Sequence, residues 1–110
     1  MNRGDFSKME MQNNQLEPLI TASNVYTLIN ENDRMRVLRA TFQPGDTARM
    51  HYHPKHMAYV LKGGRMRMTS EGKSQEMGLD EGKAVFLDKQ NHEATNIGKT
   101  VIDLLVVELK

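Results

Sequence analysis

The sequence predicts an all-β domain, a sandwich or barrel of many short strands. Three observations lead there. From Asn24 onward, short apolar runs are broken at close intervals by Gly, Pro, Asn and Asp. The runs are rich in β-branched and aromatic residues, which favour a pleated, half-buried surface. No segment carries a 3.6-residue period long enough for a competing helix. At 110 residues the chain makes one domain. It divides into an N-terminal arm over residues 1–24 and a β-barrel over residues 25–110.

The elements follow in order. Residues 1–24 are polar without a clean period and read as an arm, free or docked on a partner subunit. Within it, Asp5 to Glu10 is able to start a short helix, and Leu19 and Ile20 are candidates to anchor its end. Val25 to Ile29 reads as the first strand, and Asn30-Glu31-Asn32-Asp33 as a turn cluster. Arg36 to Phe42 forms the next strand, with Leu38, Ala40 and Phe42 on one face. Pro44-Gly45-Asp46 turns the chain into a strand from Arg49 to His53, which Pro54-Lys55 interrupts. Met57 to Lys62 follows. Gly63-Gly64 is predicted to turn a hairpin into Arg65 to Thr69. In Arg65-Met66-Arg67-Met68, alternation places the methionines inward and the arginines in solvent. A turn at Ser70-Glu71-Gly72-Lys73 precedes Gln75 to Leu79, Ala84 to Leu87, Glu93 to Asn96 and Val101 to Leu109.

Composition excludes several function classes. Lys and Arg number 15 against 14 Asp and Glu, a net charge of +1. That balance leaves no electrostatic footprint for nucleic acid or an anionic membrane surface. With no cysteine, disulfides and thiolate chemistry are absent, and any metal must be held by His, carboxylate, amide oxygen or Met sulfur. No stretch reaches the length of a membrane-spanning helix, and the polar N-terminus does not read as a secretory leader, which favours the cytoplasm.

The residues that point to chemistry are histidines. His51 and His53, two apart on a strand, share a face and can bind one ion through neutral imidazole nitrogens. His92, about forty residues on, can complete a facial site from a separate hairpin. Buried together without a metal, the three would leave ring nitrogens to satisfy. Arg49 shares their face unless a bulge intervenes, with a rim position the simpler assignment. His56, counted in register from Met57, faces away and reads as a surface or loop histidine. Tyr59, two after Met57, is the candidate to donate a proton or orient substrate. Met57, Met66 and Met68 are assigned to the pocket lining, with plain core packing their simpler role. Asn96 reads as a brace of the strand end.

Two segments resemble the motifs of the cupin superfamily. Gly45-x5-His51-x-His53-x3-Met57-x6-Gly64 is similar to the first motif, which usually carries Glu where this chain has Met57. His92-x3-Asn96 is similar to the end of the second, degraded here, with Asp88 and Gln90 roughly where Pro and Gly are usual. The resemblance spans about residues 36 to 109 and is closest to small stand-alone bacterial cupins. It implies a single jelly-roll (double-stranded β-helix) barrel, often dimeric. His51, His53 and His92 match its metal ligands, and Met57 its carboxylate position.

A thioether is a poor ligand for hard divalent ions, so Met57 is expected to line the pocket, leaving three imidazoles and water. The ion expected is a divalent transition metal, Zn, Fe, Ni or Mn, with copper not excluded. Without a carboxylate ligand it keeps its full charge and favours an anionic substrate. The expectation is a metal-dependent enzyme, of dioxygenase, isomerase or lyase type, acting on a small anion as a homodimer. The alternative is a non-catalytic ligand- or metal-binding module.

Overall fold

The computed structural model describes residues 16–110. Most of the expected arm, including Asp5 to Glu10, lies outside the described residues. A short helix α1 (Pro18–Thr21) comes first. Glu17 caps it, its carboxylate accepting from the Leu19 N–H at 2.8 Å, and proline opens the helical turn, where its missing donor costs nothing. Pro18, Ala22 and Val25 are buried and Leu19 packs against the core, whereas Ile20 stands 69% exposed.

Nine strands follow: β1 (Tyr26–Glu31), β2 (Met35–Phe42), β3 (Thr47–His53), β4 (His56–Lys62), β5 (Gly64–Ser70), β6 (Lys73–Leu79), β7 (Ala84–Leu87), β8 (Gln90–Asn96) and β9 (Ile102–Leu109). They form two antiparallel sheets, one in the order β1-β2-β9-β4-β7 and the other β3-β8-β5-β6. This is the two-sheet jelly roll, in which alternate residues of both sheets fill one interior. Leu38, Ala40 and Phe42 are fully buried and meet Ile102, Leu104 and Val106 of β9, Val60 of β4, and Ala48, Met66 and Ala94 of the facing sheet.

The Pro44-Gly45 turn works as its residues dictate. Gly45 takes φ +88°, and the Asp46 N–H closes on the Gln43 carbonyl at 2.9 Å, a turn that needs glycine at its third position. Gly63-Gly64 does not make the expected hairpin. Strand β4 pairs with β7 and β9, and β5 with β6 and β8, so the two glycines carry the chain from one sheet to the other. A Cβ on Gly63 would stand 2.1 Å from the Leu79 carbonyl oxygen. Close backbone approach, not a tight turn, demands glycine there. Beyond β8, Asn96 ties the loop to the barrel: its Nδ2 donates to the carbonyls of Phe42 (3.1 Å) and Thr100 (2.8 Å), and its Oδ1 accepts from the Gly98 N–H (3.0 Å). No described helix is long and apolar enough to cross a membrane.

Candidate metal centre

The polar end of the barrel is built by β3, β8, β4 and β9. On β8, strict alternation turns His92, Ala94 and Asn96 inward. On β3 the alternation breaks. Ala48 opposes Ala94 and His51 opposes His92, so three steps on β3 face two on β8. The extra residue is a bulge that sends both Arg49 and Met50 outward and restores His51 and His53 to the interior. His51 and His92 thus become a direct cross-strand pair.

These three histidines are 0%, 1% and 3% exposed for His51, His53 and His92. One nitrogen from each lies within 4.8 Å of the others. Each ring is aimed by its Nδ1. The His51 Nδ1–H donates to the Arg49 carbonyl at 2.6 Å, and that of His92 to the Gln90 Oε1 at 2.8 Å. The His53 Nδ1–H donates to the Glu108 carboxylate at 2.5 Å. Fixing the hydrogen on Nδ1 leaves the Nε2 lone pair for a ligand, which is how metal-binding imidazoles are usually oriented. His53 Nε2 accepts from the Tyr26 hydroxyl at 3.1 Å. His51 Nε2 is buried with no partner, a group that is costly to leave unmade.

Burial keeps these rings neutral, which is the form that ligates. Desolvation lowers the pKa of His51, pushes that of His53 well below its ordinary value, and takes His92 down to about 2, with the neighbouring imidazoles adding to the last two. Desolvation, then Glu108, raises the Tyr26 phenol, so its hydroxyl stays a donor. Behind the ligand shell, Glu108 accepts from the Arg36 Nε at 2.9 Å, and Arg36 reaches on to Glu17 at 2.8 Å. Burial raises the Glu108 carboxyl, and Arg36 works against it.

The residues present fit a metal. Three neutral imidazoles converge, one Nε2 is orphaned, and a carboxylate backs the central ligand. Together they could hold one divalent transition ion.

Other expectations are corrected here. Met57 and Tyr59 do share a face, but it is the outer one, and Tyr59 is 37% exposed. Register with β9 decides this: His56, Ala58 and Val60 oppose the buried Glu108, Val106 and Leu104, while Met57 and Tyr59 oppose Val107 and Leu105 on the outside. Tyr59 is therefore withdrawn as a proton donor at the histidines and Met57 as a lining of their chamber. His56, expected at the surface, is 5% exposed, its ring centroid 4.6 Å from that of His53. Met66 and Met68 do line the chamber, a cavity of about 30 Å³ shared with Tyr26, His53, His56, His92 and apolar neighbours. Arg65 and Arg67 point to solvent.

Sequence reasoning missed Tyr26, Glu108 and Gln90. A signal for Glu108 existed: it continues the inward series Ile102, Leu104, Val106 of a mostly apolar strand, and an acid there needs a partner. Gln90 lies two before His92, on the same face. Nothing singled out Tyr26 from other strand aromatics.

The fold has many solved relatives. A cupin domain from Bordetella pertussis Tohama I superposes with TM-score 0.74 at 20% identity, covering 78% of this chain and 92% of that one. An RmlC-like cupin family protein with a double-stranded β-helix fold, from Methanocaldococcus jannaschii, gives TM-score 0.64 at 18% identity over 77% and 78%. The DMSP lyase DddQ of Ruegeria pomeroyi DSS-3 gives 0.60 at 18% identity over 80% of this chain and 48% of its own. None of the curated proteins compared matches the chain in sequence. The family model of the cupin domain matches residues 38–108, the stretch that contains all four histidines and, of the nine strands, all but β1 and the ends of β2 and β9, and the chain belongs to the cupin family.

Proposed function

We propose that this protein is a metal-dependent enzyme acting on a small anionic molecule, its ion held by His51, His53 and His92. One observation carries the reading: three buried imidazoles bring one ring nitrogen each within 4.8 Å of the others, and His51 Nε2 has no partner among the described residues. The ion, zinc, iron, nickel or manganese, would supply Lewis acidity or an activated water or oxygen. With no carboxylate among these three ligands, its positive charge favours an anion.

Access supports a substrate at the mouth rather than in the chamber. A groove of about 370 Å³ lies outside, lined by Lys55, Met57, Phe86, Asp88, Val107 and Leu109. His56 and Leu87 line both this groove and the inner chamber. They stand where a small, largely apolar molecule would approach the ion, between one basic and one acidic side chain, Lys55 and Asp88. Met57 thus belongs to the outer wall. The chemistry is oxygenation, isomerisation or a lyase reaction; a protein named as a lyase stands among the fold neighbours, and one fold hosts many chemistries.

A second reading is a non-catalytic binding module. It is favoured by the size of the inner chamber, about 30 Å³, room for roughly an ion and a water but not a substrate. We also propose a homodimer. The outer face of the five-stranded sheet carries the in-register row Val37, Val107, Met57 and Phe86, and Phe86 is 81% exposed, a patch suited to isologous packing. Because Met57, Phe86 and Val107 also line the groove, a partner subunit seated there would form the groove's outer wall. Light scattering of wild type and Phe86→Asp tests it; a monomeric wild type refutes it.

The test of function is elemental analysis of protein purified without a histidine tag, beside His92→Ala, followed by oxygen-uptake and elimination assays on small carboxylates. The enzyme reading expects near one equivalent of metal, lost in the variant, and metal-dependent turnover. Metal without turnover across those assays moves the assignment to the binding module. No metal after incubation with iron, zinc, nickel and manganese overturns the enzyme reading and moves the assignment to a ligand-binding or structural barrel.

A further inference from the structure

The converging nitrogens are not in equivalent states. His51 Nε2 is buried without a partner among the described residues, whereas His53 Nε2 is capped by the Tyr26 hydroxyl at 3.1 Å. Tyr26 comes from outside the histidine strands. It opens β1 and pairs with Ala40 of β2, and it is 5% exposed. Its ring packs against both histidines of β3, with centroids 5.0 Å from His51 and 5.4 Å from His53. It lines the chamber together with His53, His56 and His92.

His53 commits its Nδ1–H to Glu108, so Nε2 has one lone pair and takes one partner. An ion and the phenol therefore compete for it. When His53 ligates, the hydroxyl must leave, and it gives up the one hydrogen bond it makes among the described residues. A buried O–H without an acceptor is costly. Beside the histidines, the chamber lining is hydrophobic. Two acceptors are then in question: the ring nitrogen of His56, and an oxygen carried by the ion. A hydroxyl 3.1 Å from a ligating nitrogen stands next to whatever that nitrogen binds. An anionic oxygen is also the stronger acceptor, its hydrogen bonds being about twice as strong as neutral ones.

We propose that Tyr26 caps His53 Nε2 before an ion binds and, displaced by the ion, donates to an anionic oxygen held at the ion's open position. Tyr26 is then a specificity-determining residue, favouring a carboxylate or other oxyanion end over a group with no acceptor. The inference rests on the proposed metal site and names how that site selects its ligand. The exchange conserves hydrogen bonds, one to His53 before the ion and one to the bound oxygen after it, so the phenol opposes metal binding little.

The experiment compares untagged, full-length wild type with Tyr26→Phe, which keeps the ring. The chain has three tyrosines and no tryptophan, so near-ultraviolet difference spectra on adding Zn²⁺ report the phenols. Metal affinity is read by competition with a chelator, and formate affinity from the visible bands of the Co²⁺-loaded proteins. The proposal expects a tyrosine difference signal in wild type that the variant lacks, and metal affinities within about threefold of each other. Formate should bind the variant about tenfold or more weakly. A wild type that binds Zn²⁺ with a silent tyrosine spectrum overturns it, since the hydroxyl has stayed where it was. Formate that binds both proteins alike, or neither, overturns it in favour of His56 as the acceptor. Metal affinity that falls tenfold in the variant, with loss of a phenolate-to-metal band in the Cu²⁺ form, overturns it by making Tyr26 a ligand. The three-histidine site survives each of these results; a wild type that binds no metal overturns site and inference together. Circular dichroism melts check that Tyr26→Phe folds. If it does not, the wild-type difference spectrum decides, with a further tyrosine shift on adding formate expected and its absence contrary.

Discussion

The interior of this barrel has two halves that are equally dry and chemically opposite. Around Leu38, Phe42 and Ile102, at 0–1% exposure, every side chain gains by leaving water. Around His51, His53 and Glu108, at 0–3%, each group loses hydration and recovers it only through a partner. The apolar half therefore explains why the chain folds. The histidine half opposes folding in the metal-free protein, and its geometry is accounted for by what it can bind. Perturbing the two halves should give effects of opposite character.

The largest contrast should come from pH. His51, His53 and His92 have folded-state pKa values depressed by burial. Their contribution is fully present above the unfolded value near 6.5 and is lost as pH falls from there toward the folded values, since the unfolded chain binds the protons first. Three such groups steepen the loss to about 4 kcal/mol per pH unit in the metal-free protein. The raised carboxyl of Glu108 works in the opposite sense just above its ordinary value and blunts part of the fall. Urea unfolding at pH 7, 6 and 5, with and without chelator, measures this. A flat profile would contradict buried neutral histidines.

Next in size is the apolar half. Phe42→Ala should lower stability by about 3–5 kcal/mol and leave metal stoichiometry unchanged. Loss of metal in a folded variant would mean that the halves are coupled. Arg36→Met should cost somewhat less, about 2–3 kcal/mol, because Glu108 loses its cation partner while keeping His53, and Arg36 is itself partly solvated. Denaturant midpoints rank the two. Smallest is His51→Leu, which removes the orphaned Nε2 and should move the metal-free stability by no more than about 1 kcal/mol, in either direction. The rise in Tm that added Zn²⁺ gives wild type should vanish in that variant.

The same division explains what could be read from the sequence. The strands were legible because turn residues punctuate runs of strand formers, the jelly roll was legible only through the resemblance of the histidine segments to cupin motifs, and β8 was read correctly inward because His92, Ala94 and Asn96 alternate without interruption. Strand β4 was not, since both of its faces are apolar: Met57, Tyr59 and Leu61 look more like core than His56, Ala58 and Val60. The larger side chains go outside because that face of the five-stranded sheet is itself apolar, and only the pairing of His56 with Glu108 across β9 fixes the sense. The bulge at Arg49 and Met50 has no sequence mark beyond the mismatch between Ala48 and His51 as inward residues. The sheet change at Gly63-Gly64 was hidden by glycines that serve hairpins and close approaches alike. Long-range partners such as Glu108 to His53, 55 residues apart, are set by topology and not by local pattern.

The most direct test of the central claim is anomalous diffraction from crystals of the untagged protein, recorded above and below the absorption edge of the metal found by elemental analysis. The account predicts one anomalous peak at the point where His51, His53 and His92 converge, about 2.0–2.1 Å from each Nε2 if the ion is zinc. Crystals soaked in excess metal that show only water there, with the Tyr26 hydroxyl still bound to His53, would contradict it.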